Sequence, residues 1–81
     1  MDIGAAVAKR IVGICKDRQI SINKLATQCR ITQSTLNNIV NGGSKKPTVD
    51  TVWRICRGLD ITLSQFFDDP CFHVDPPEAL H

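Results

Sequence analysis

Several features that define other protein classes are missing from this chain of 81 residues. No apolar run approaches the roughly 20 residues that a membrane span requires. The N-terminus lacks the basic start and apolar block of a secretion signal, so we expect neither membrane insertion nor export. This length allows one small domain with a modest core, for which dimerisation would be a natural source of additional stability.

Closely spaced metal ligands are also missing. The four cysteines are Cys15, Cys29, Cys56 and Cys71, so no Cys-x-x-Cys pair exists, and the only histidines are His73 and His81. A tetrahedral zinc site normally uses paired, closely spaced ligands. We therefore expect no metal and reduced cysteines that pack as small apolar residues in a cytoplasmic protein.

Catalytic patterns are likewise lacking. The predicted helical body contains no buried pair of acids and no nucleophile with an adjacent base. No glycine-rich loop follows a strand, as a nucleotide-binding loop would, because Gly42-Gly43 stops a helix instead. The sequence therefore predicts neither an enzyme nor a cofactor.

Acidic residues are scarce in most of the chain and concentrated at its end. Residues 1–67 hold all ten Lys and Arg and four acids (10 − 4 = +6), and residues 68–81 hold the other four acids (−4). A basic body is typical of proteins with a polyanionic partner. The acidic tail is expected to lack regular structure; either it is mobile, or Phe72 and Val74 attach it to the body.

Apolar periodicity predicts five helices and no strand. We place them at about 3–17, 22–28, 33–41, 49–59 and 63–67, with Ser21, Thr32 and Thr48 as N-caps and a capping box over Thr62 to Gln65. The residues expected in the core are Ile3, Val7, Ile11, Ile14, Leu25, Ala26, Leu36, Ile39, Val40, Val49, Val52, Ile55, Cys56, Leu59, Leu63, Phe66 and Phe67. Trp53 either fills a gap between helices or lies partly exposed at a dimer contact or under the tail.

The third predicted helix carries polar residues on the face that its apolar residues leave free. These residues are Gln33, Ser34, Asn37 and Asn38. Amides and hydroxyls both donate and accept hydrogen bonds, so they are suited to reading base edges in a major groove. The glycine pair and two lysines that follow suit a loop against phosphate. DNA binding is therefore the first hypothesis, and an ordinary solvated face is the alternative.

The ordered set of motifs resembles the helix-turn-helix domains of phage repressors, Cro proteins and bacterial Xre-type regulators. The matching elements are Leu25-Ala26, Thr32 to Leu36, Asn41-Gly42, Pro47-Thr48, Ile55-Cys56, Leu59 and Leu63 to Phe67. The resemblance covers about residues 3–67. It implies an all-α, five-helix, lambda-repressor-like DNA-binding domain over residues 1–67, followed by the acidic tail, 68–81.

The resemblance also assigns site residues. Gln33, Ser34, Asn37 and Asn38 would read bases from the major groove. Phosphate contacts would come from Ser21, Thr32, Thr35, Asn41, Gly43, Lys45, Lys46 and Thr48, although Thr35 would alternatively only help to close its helix. Arg30 stands where the family usually has glycine. There, it either distorts the turn or is tolerated because it contacts phosphate.

These observations predict a sequence-specific regulator of double-stranded DNA, a repressor, that binds a near-palindromic operator as a homodimer. The resemblance places the dimer contact in the region Leu59 to Phe67. The alternative is a protein-interaction module or antitoxin on the same scaffold with weak or vestigial DNA binding. A further hypothesis is that the acidic tail covers the basic face and weakens DNA binding.

Overall fold

The computed structural model describes residues 3–41 and 47–72, and within these ranges the chain is all-helical, as predicted. The helices are α1 (Ile3–Arg18), α2 (Ile22–Cys29), α3 (Gln33–Val40), α4 (Val49–Leu59) and α5 (Leu63–Phe67), followed by a 3-10 helix (Pro70–Phe72). Each predicted helix end lies within one residue of the observed end. None of the described helices has the length and apolarity to cross a membrane.

Short polar residues begin α2, α3, α4 and α5. In each helix the side-chain oxygen of the N-cap accepts a hydrogen bond from a backbone amide of the first turn. This bond satisfies one of the donors that a helix start leaves unpaired. The predicted capping box is present: the Gln65 amide nitrogen donates to Thr62 Oγ1 at 3.0 Å, and the Thr62 amide donates to Gln65 Oε1 at 2.8 Å.

Three helices end in a left-handed residue that is not glycine. Gln19, Arg30 and Asp60 have φ values of 56°, 57° and 59° and follow α1, α2 and α4. An isoleucine comes next in each case, and its amide donates to a carbonyl five residues earlier, as in a Schellman motif. Because Ile20, Ile31 and Ile61 pack against the core, their burial offsets the cost of the left-handed backbone.

Helices α2 and α4 approach each other closely in the core. A Cβ atom placed on Gly58 would lie 2.4 Å from Cys29 Sγ and 2.9 Å from Cys29 Cα. Glycine at this position therefore sets how closely α4 approaches the C-terminal end of α2. Cys29 is buried there, and its thiol donates to the Ile55 carbonyl at 3.6 Å.

Three residues predicted to lie in the core are exposed instead. The relative accessibility is 76% for Val49, 52% for Ile3 and 39% for Phe67. All three have the helical spacing of core residues, but they lie at or near helix ends, where the described elements cover them only in part. Together with Pro47 and Leu63 they line a shallow groove, and we call these five residues the apolar surface.

The segment after α5 is attached to α1, so the expectation of no regular structure from Asp68 onward is wrong for Pro70–Phe72. The Phe72 ring lies 4.9 Å from the Phe67 ring and 6.1 Å from that of Phe66, centroid to centroid. The Cys71 thiol donates to the Ala6 carbonyl at 3.6 Å. Attachment through Phe72 is therefore confirmed, whereas Val74 lies outside the described residues.

Arg10 on α1 connects the first helix to the last. Its Nε donates to the Phe66 carbonyl at 2.7 Å, its Nη2 to the Gln65 carbonyl at 2.9 Å, and its Nη1 to Asp69 Oδ2 at 3.1 Å. The Phe66 carbonyl belongs to the C-terminal end of α5, where no further turn supplies a partner, whereas the Gln65 carbonyl also accepts from the Asp68 amide at 3.3 Å. No signal in the sequence indicated this role, since Arg10 is one of several cations expected on the outside of α1.

Candidate nucleic-acid interface

Helix α3 is held by two buried residues and presents the rest of its surface to solvent. Leu36 and Ile39 are buried, and Val40 is partly buried against the core. The four predicted base readers, Gln33, Ser34, Asn37 and Asn38, are all exposed. At about 100° per residue, they span roughly 140° of the helix circumference, on the side away from Leu36 and Ile39.

The polar groups on this face are free to bind an external partner. Within residues 3–41 and 47–72, no hydrogen bond or ion pair involves the side chains of the four base-reading candidates. Side-chain amides without an internal partner keep both their donor and their acceptor atoms available. The arrangement is thus chemically able to pair with the donor and acceptor pattern of base edges.

Candidate phosphate contacts lie at three helix starts. Ser21, Thr32 and Thr48 are exposed N-caps of helices of 8, 8 and 11 residues, and their oxygens accept from the amides of Lys24, Thr35 and Thr51. A helix N-terminus offers unpaired N–H groups and a partial positive charge, which together favour an anion. The structure thus provides three surface positions suited to phosphate oxygens.

Thr35 has a structural bond of its own. Its Oγ1 accepts a hydrogen bond from Thr32 Oγ1 at 2.8 Å, and its amide donates to the same Thr32 oxygen at 3.2 Å. Thr35 therefore helps to close the first turn of α3, and phosphate binding by its hydroxyl stays a prediction.

The remaining candidates lie at the end of α3 and in the loop after it. Asn41 is exposed. The helix end is closed by its backbone amide, which donates to the Asn37 carbonyl at 2.9 Å, and this bond does not use the side chain. Gly43, Lys45 and Lys46 lie outside the described residues.

The turn between α2 and α3 keeps a left-handed backbone although it lacks glycine. Arg30 has φ 57° and ψ 41°, and the next amide, that of Ile31, donates to the Ala26 carbonyl at 3.0 Å. The turn is therefore not distorted, so the first of the two expectations for Arg30, a distorted turn, is not met. The other, a phosphate contact by Arg30, stays a prediction.

The cysteines are free thiols that face the interior rather than this interface. Cys15, Cys29 and Cys56 are buried, and Cys71 is partly buried. Burial raises the pKa of each of the three buried thiols, and that of Cys29 reaches about 11 because the neighbouring Cys15 and Cys56 add to the effect. At neutral pH they are protonated and behave as small apolar side chains.

A second concave surface lies between α2 and α4, and the sequence did not predict it. Trp53 is 45% exposed there, with the Arg57 guanidinium 4.9 Å from the centre of its ring. The helical spacing of Trp53, Arg54 and Arg57 was visible in the sequence. Their position beside the end of α2 depends on how the two helices cross.

Comparison with known proteins gives one match. A family model described as a Cro/C1-type HTH DNA-binding domain matches residues 10–71, from the middle of α1 to the 3-10 helix. No curated protein and no solved structure matches the chain.

Proposed function

Because the chain belongs to the Cro/C1-type helix-turn-helix DNA-binding family, and is therefore a DNA-binding regulator, we propose that it is a repressor. In this proposal two copies bind a near-palindromic operator, one half-site per subunit, in the cytoplasm. The observation that carries the proposal is the set of exposed, internally unpaired amides on α3.

Helix α3 enters the major groove with its N-terminal half towards the bases. Gln33 and Asn38 each pair with an adenine through two hydrogen bonds, while Ser34 and Asn37 contact neighbouring base edges. A well-formed bidentate pair contributes about 1–3 kcal/mol of discrimination against the wrong base. Their exposure on one side of α3 supports these roles.

Phosphate contacts fix the protein on the duplex but do not read sequence. We assign them to Ser21, Thr32, Thr35, Asn41, Gly43, Lys45, Lys46 and Thr48. The exposed N-caps of α2, α3 and α4 support the assignment of Ser21, Thr32 and Thr48. The two lysines release counterions when they bind phosphate, so affinity falls steeply as salt increases.

The dimer forms through the accessible part of the region Leu59 to Phe67. Leu59 and Phe66 are buried in the subunit, so they do not reach a partner. Among the residues of this region that stay accessible, Leu63 and Phe67 belong to the apolar surface, which extends the contact to Ile3, Pro47 and Val49. Removing such a surface from water favours pairing of two copies. Half-sites then lie about 34–36 Å apart, one helical turn of DNA.

The proposed reading of bases is tested by selecting bound sequences from a random DNA pool and then comparing variants on the selected operator. Gln33→Ala should relax the preference at one position and weaken operator binding by about 1–3 kcal/mol, with less effect on random DNA. Lys45→Ala should weaken both equally and lower the salt slope by about 1. Gln28→Ala, which removes an exposed amide from α2, is the matched control.

Selection of no common sequence would contradict the proposed specificity. Failure to retain any DNA at low salt would favour the interaction module or antitoxin instead.

The proposed dimer is tested by sedimentation of the free protein. Val49→Glu places a charge on the apolar surface without entering the core, so it should weaken self-association while the helical content stays unchanged. Lys16→Glu, an exposed position on α1 outside the apolar surface, is the control. Equal association of the two variants would place the dimer contact elsewhere.

A further inference from the structure

A groove of about 480 Å³ lies between the C-terminal halves of α2 and α4. Cys29 and Gly58 form its floor, where the two helices approach each other closely. Its walls are formed by Gln28, Arg30, Trp53, Arg54 and Arg57. We call it the arginine groove. It contains no residue of α3, and Arg30 is its one lining residue for which a phosphate contact is predicted.

The charge of the arginine groove is entirely positive. Three of its lining residues are arginines and none is acidic. Arg54 Nε lies 3.2 Å from Asp50 Oδ2, but both side chains are more than half exposed, and such surface pairs are weak and easily exchanged. The Arg30 side chain has no hydrogen bond or ion pair within residues 3–41 and 47–72. The groove therefore has guanidinium groups available for an anionic partner.

Trp53 gives the same groove an apolar component. Trp53 is 45% exposed, and the Arg57 guanidinium lies over its ring at 4.9 Å from the ring centre. This cation–π contact restricts the orientation of the planar guanidinium. Less conformational freedom of the side chain is therefore lost when it forms two parallel hydrogen bonds to a carboxylate. The uncovered part of the ring can pack against an apolar side chain. Arginine and tryptophan are the residue types that most often dominate binding energy at protein interfaces.

We propose that the arginine groove binds an acidic segment of a partner protein. In this arrangement carboxylates of the segment pair with Arg30, Arg54 and Arg57, and an apolar side chain lies against Trp53. A recess with a closed floor accepts protruding side chains, whereas a duplex presents its phosphates along a convex rod. Arg30 and Arg57 are each nine residues beyond the N-caps Ser21 and Thr48, about 13 Å along their helices. Thr32, another assigned phosphate contact, is only two residues from Arg30, so the test below includes a DNA duplex as a competitor.

The protein contains its own reporter for this binding. Trp53 is the only tryptophan, and there is no tyrosine, so intrinsic fluorescence reports directly on the arginine groove. The probe is a synthetic peptide of glutamate and leucine residues, titrated into the full chain without DNA. The control is the same peptide with every glutamate replaced by glutamine. We expect a saturable change in Trp53 fluorescence with the acidic peptide and none with the glutamine peptide.

The variants distinguish the groove from general basic charge. Arg30→Gly removes one charge and leaves the turn intact, because glycine adopts the left-handed backbone readily. Arg57→Gln removes a second charge. Together they should weaken peptide binding about tenfold, whereas Lys16→Gln, an exposed cation on α1, should leave it unchanged. Circular dichroism of each variant checks that the fold is retained.

Three results would overturn the proposal. The first is peptide binding that the arginine variants do not weaken. The second is displacement of the peptide by a non-operator duplex whose own affinity for the protein falls in the same arginine variants. That result would assign the groove to the DNA backbone. The third is a change in the peptide-free fluorescence of Trp53 in the Asp75→Asn/Glu78→Gln variant, which would assign it to the chain's own tail. Because no DNA is present in the peptide titration, its outcome is independent of operator recognition.

Discussion

Arg10 is the side chain whose loss should damage the fold most among the charged residues described here. It donates to two carbonyls at the end of α5 and to Asp69, at distances of 2.7–3.1 Å, and its own side chain is only 18% exposed. Hydrogen bonds from a charged donor contribute about 1.5–3 kcal/mol each to stability. When the donor is removed, water replaces it at an accessible carbonyl, so most of that contribution is recovered there.

The size of the stability loss depends on which of the two carbonyls is shielded from water. The bond to Gln65 is exposed and the bond to Phe66 is partly buried, so the Phe66 carbonyl should account for most of the cost. We expect Arg10→Ala to reduce the free energy of unfolding by about 2–3 kcal/mol. For a domain of this size the total is about 4–12 kcal/mol, and the melting temperature should fall by about 10–20 °C.

Urea unfolding, followed both by Trp53 fluorescence and by circular dichroism, measures this loss. Arg10→Lys keeps the charge but not the fork of donors, so its stability should be intermediate. Lys9→Ala removes the adjacent, exposed cation and should change stability by less than about 0.5 kcal/mol. Equal stability of Arg10→Ala and Lys9→Ala would refute the reasoning.

Three further predictions concern the helix crossing, the turn and the end of the fold. Gly58→Ala should destabilise the domain by about 1–3 kcal/mol in urea unfolding, because its Cβ meets both the thiol and the backbone of Cys29; wild-type stability would contradict this. Arg30→Gly should stabilise it by up to about 1 kcal/mol, since relief of the left-handed strain exceeds the entropy that glycine adds to the unfolded chain; a loss of stability would show that Arg30 makes an essential contact. The pKa of Asp69 lies below its usual 3.8, mainly because the Cys71 amide donates to its carboxylate, and the Arg10 charge adds to the effect. Its stabilisation should be present above pH 3.8 and disappear as pH falls through the lowered pKa, so Asp69→Asn should differ from wild type at neutral pH but not in strong acid.

Local signals in the sequence were sufficient for the helices and for the polar face of α3. Ser21, Thr32, Thr48 and Thr62 start helices because each side-chain oxygen satisfies an amide only a few residues away. The amide-bearing face of α3 follows from the same short range, since residues three and four apart share a side of a helix.

The left-handed ends at Gln19 and Asp60 were not predicted, because neither has the glycine that usually indicates such an end, and at Arg30 only the resemblance, which places glycine there, pointed to one. A signal was nevertheless present: a polar residue followed by an isoleucine at Gln19-Ile20, Arg30-Ile31 and Asp60-Ile61. In each pair, the isoleucine gains burial only if the chain reverses direction at the residue before it.

The sequence by itself determined which residues form helices, where those helices begin and which face of α3 is polar. Only the tertiary structure decided that Ile3, Val49 and Phe67 are exposed, that Arg10 binds the end of α5, and that three arginines surround Trp53. The physical reason is the separation in sequence of the residues that interact. Hydrogen bonding and periodicity within a helix involve residues only a few positions apart. Burial and charge clustering depend instead on which helices meet, and here residues as far apart as Arg10 and Asp69 are in contact.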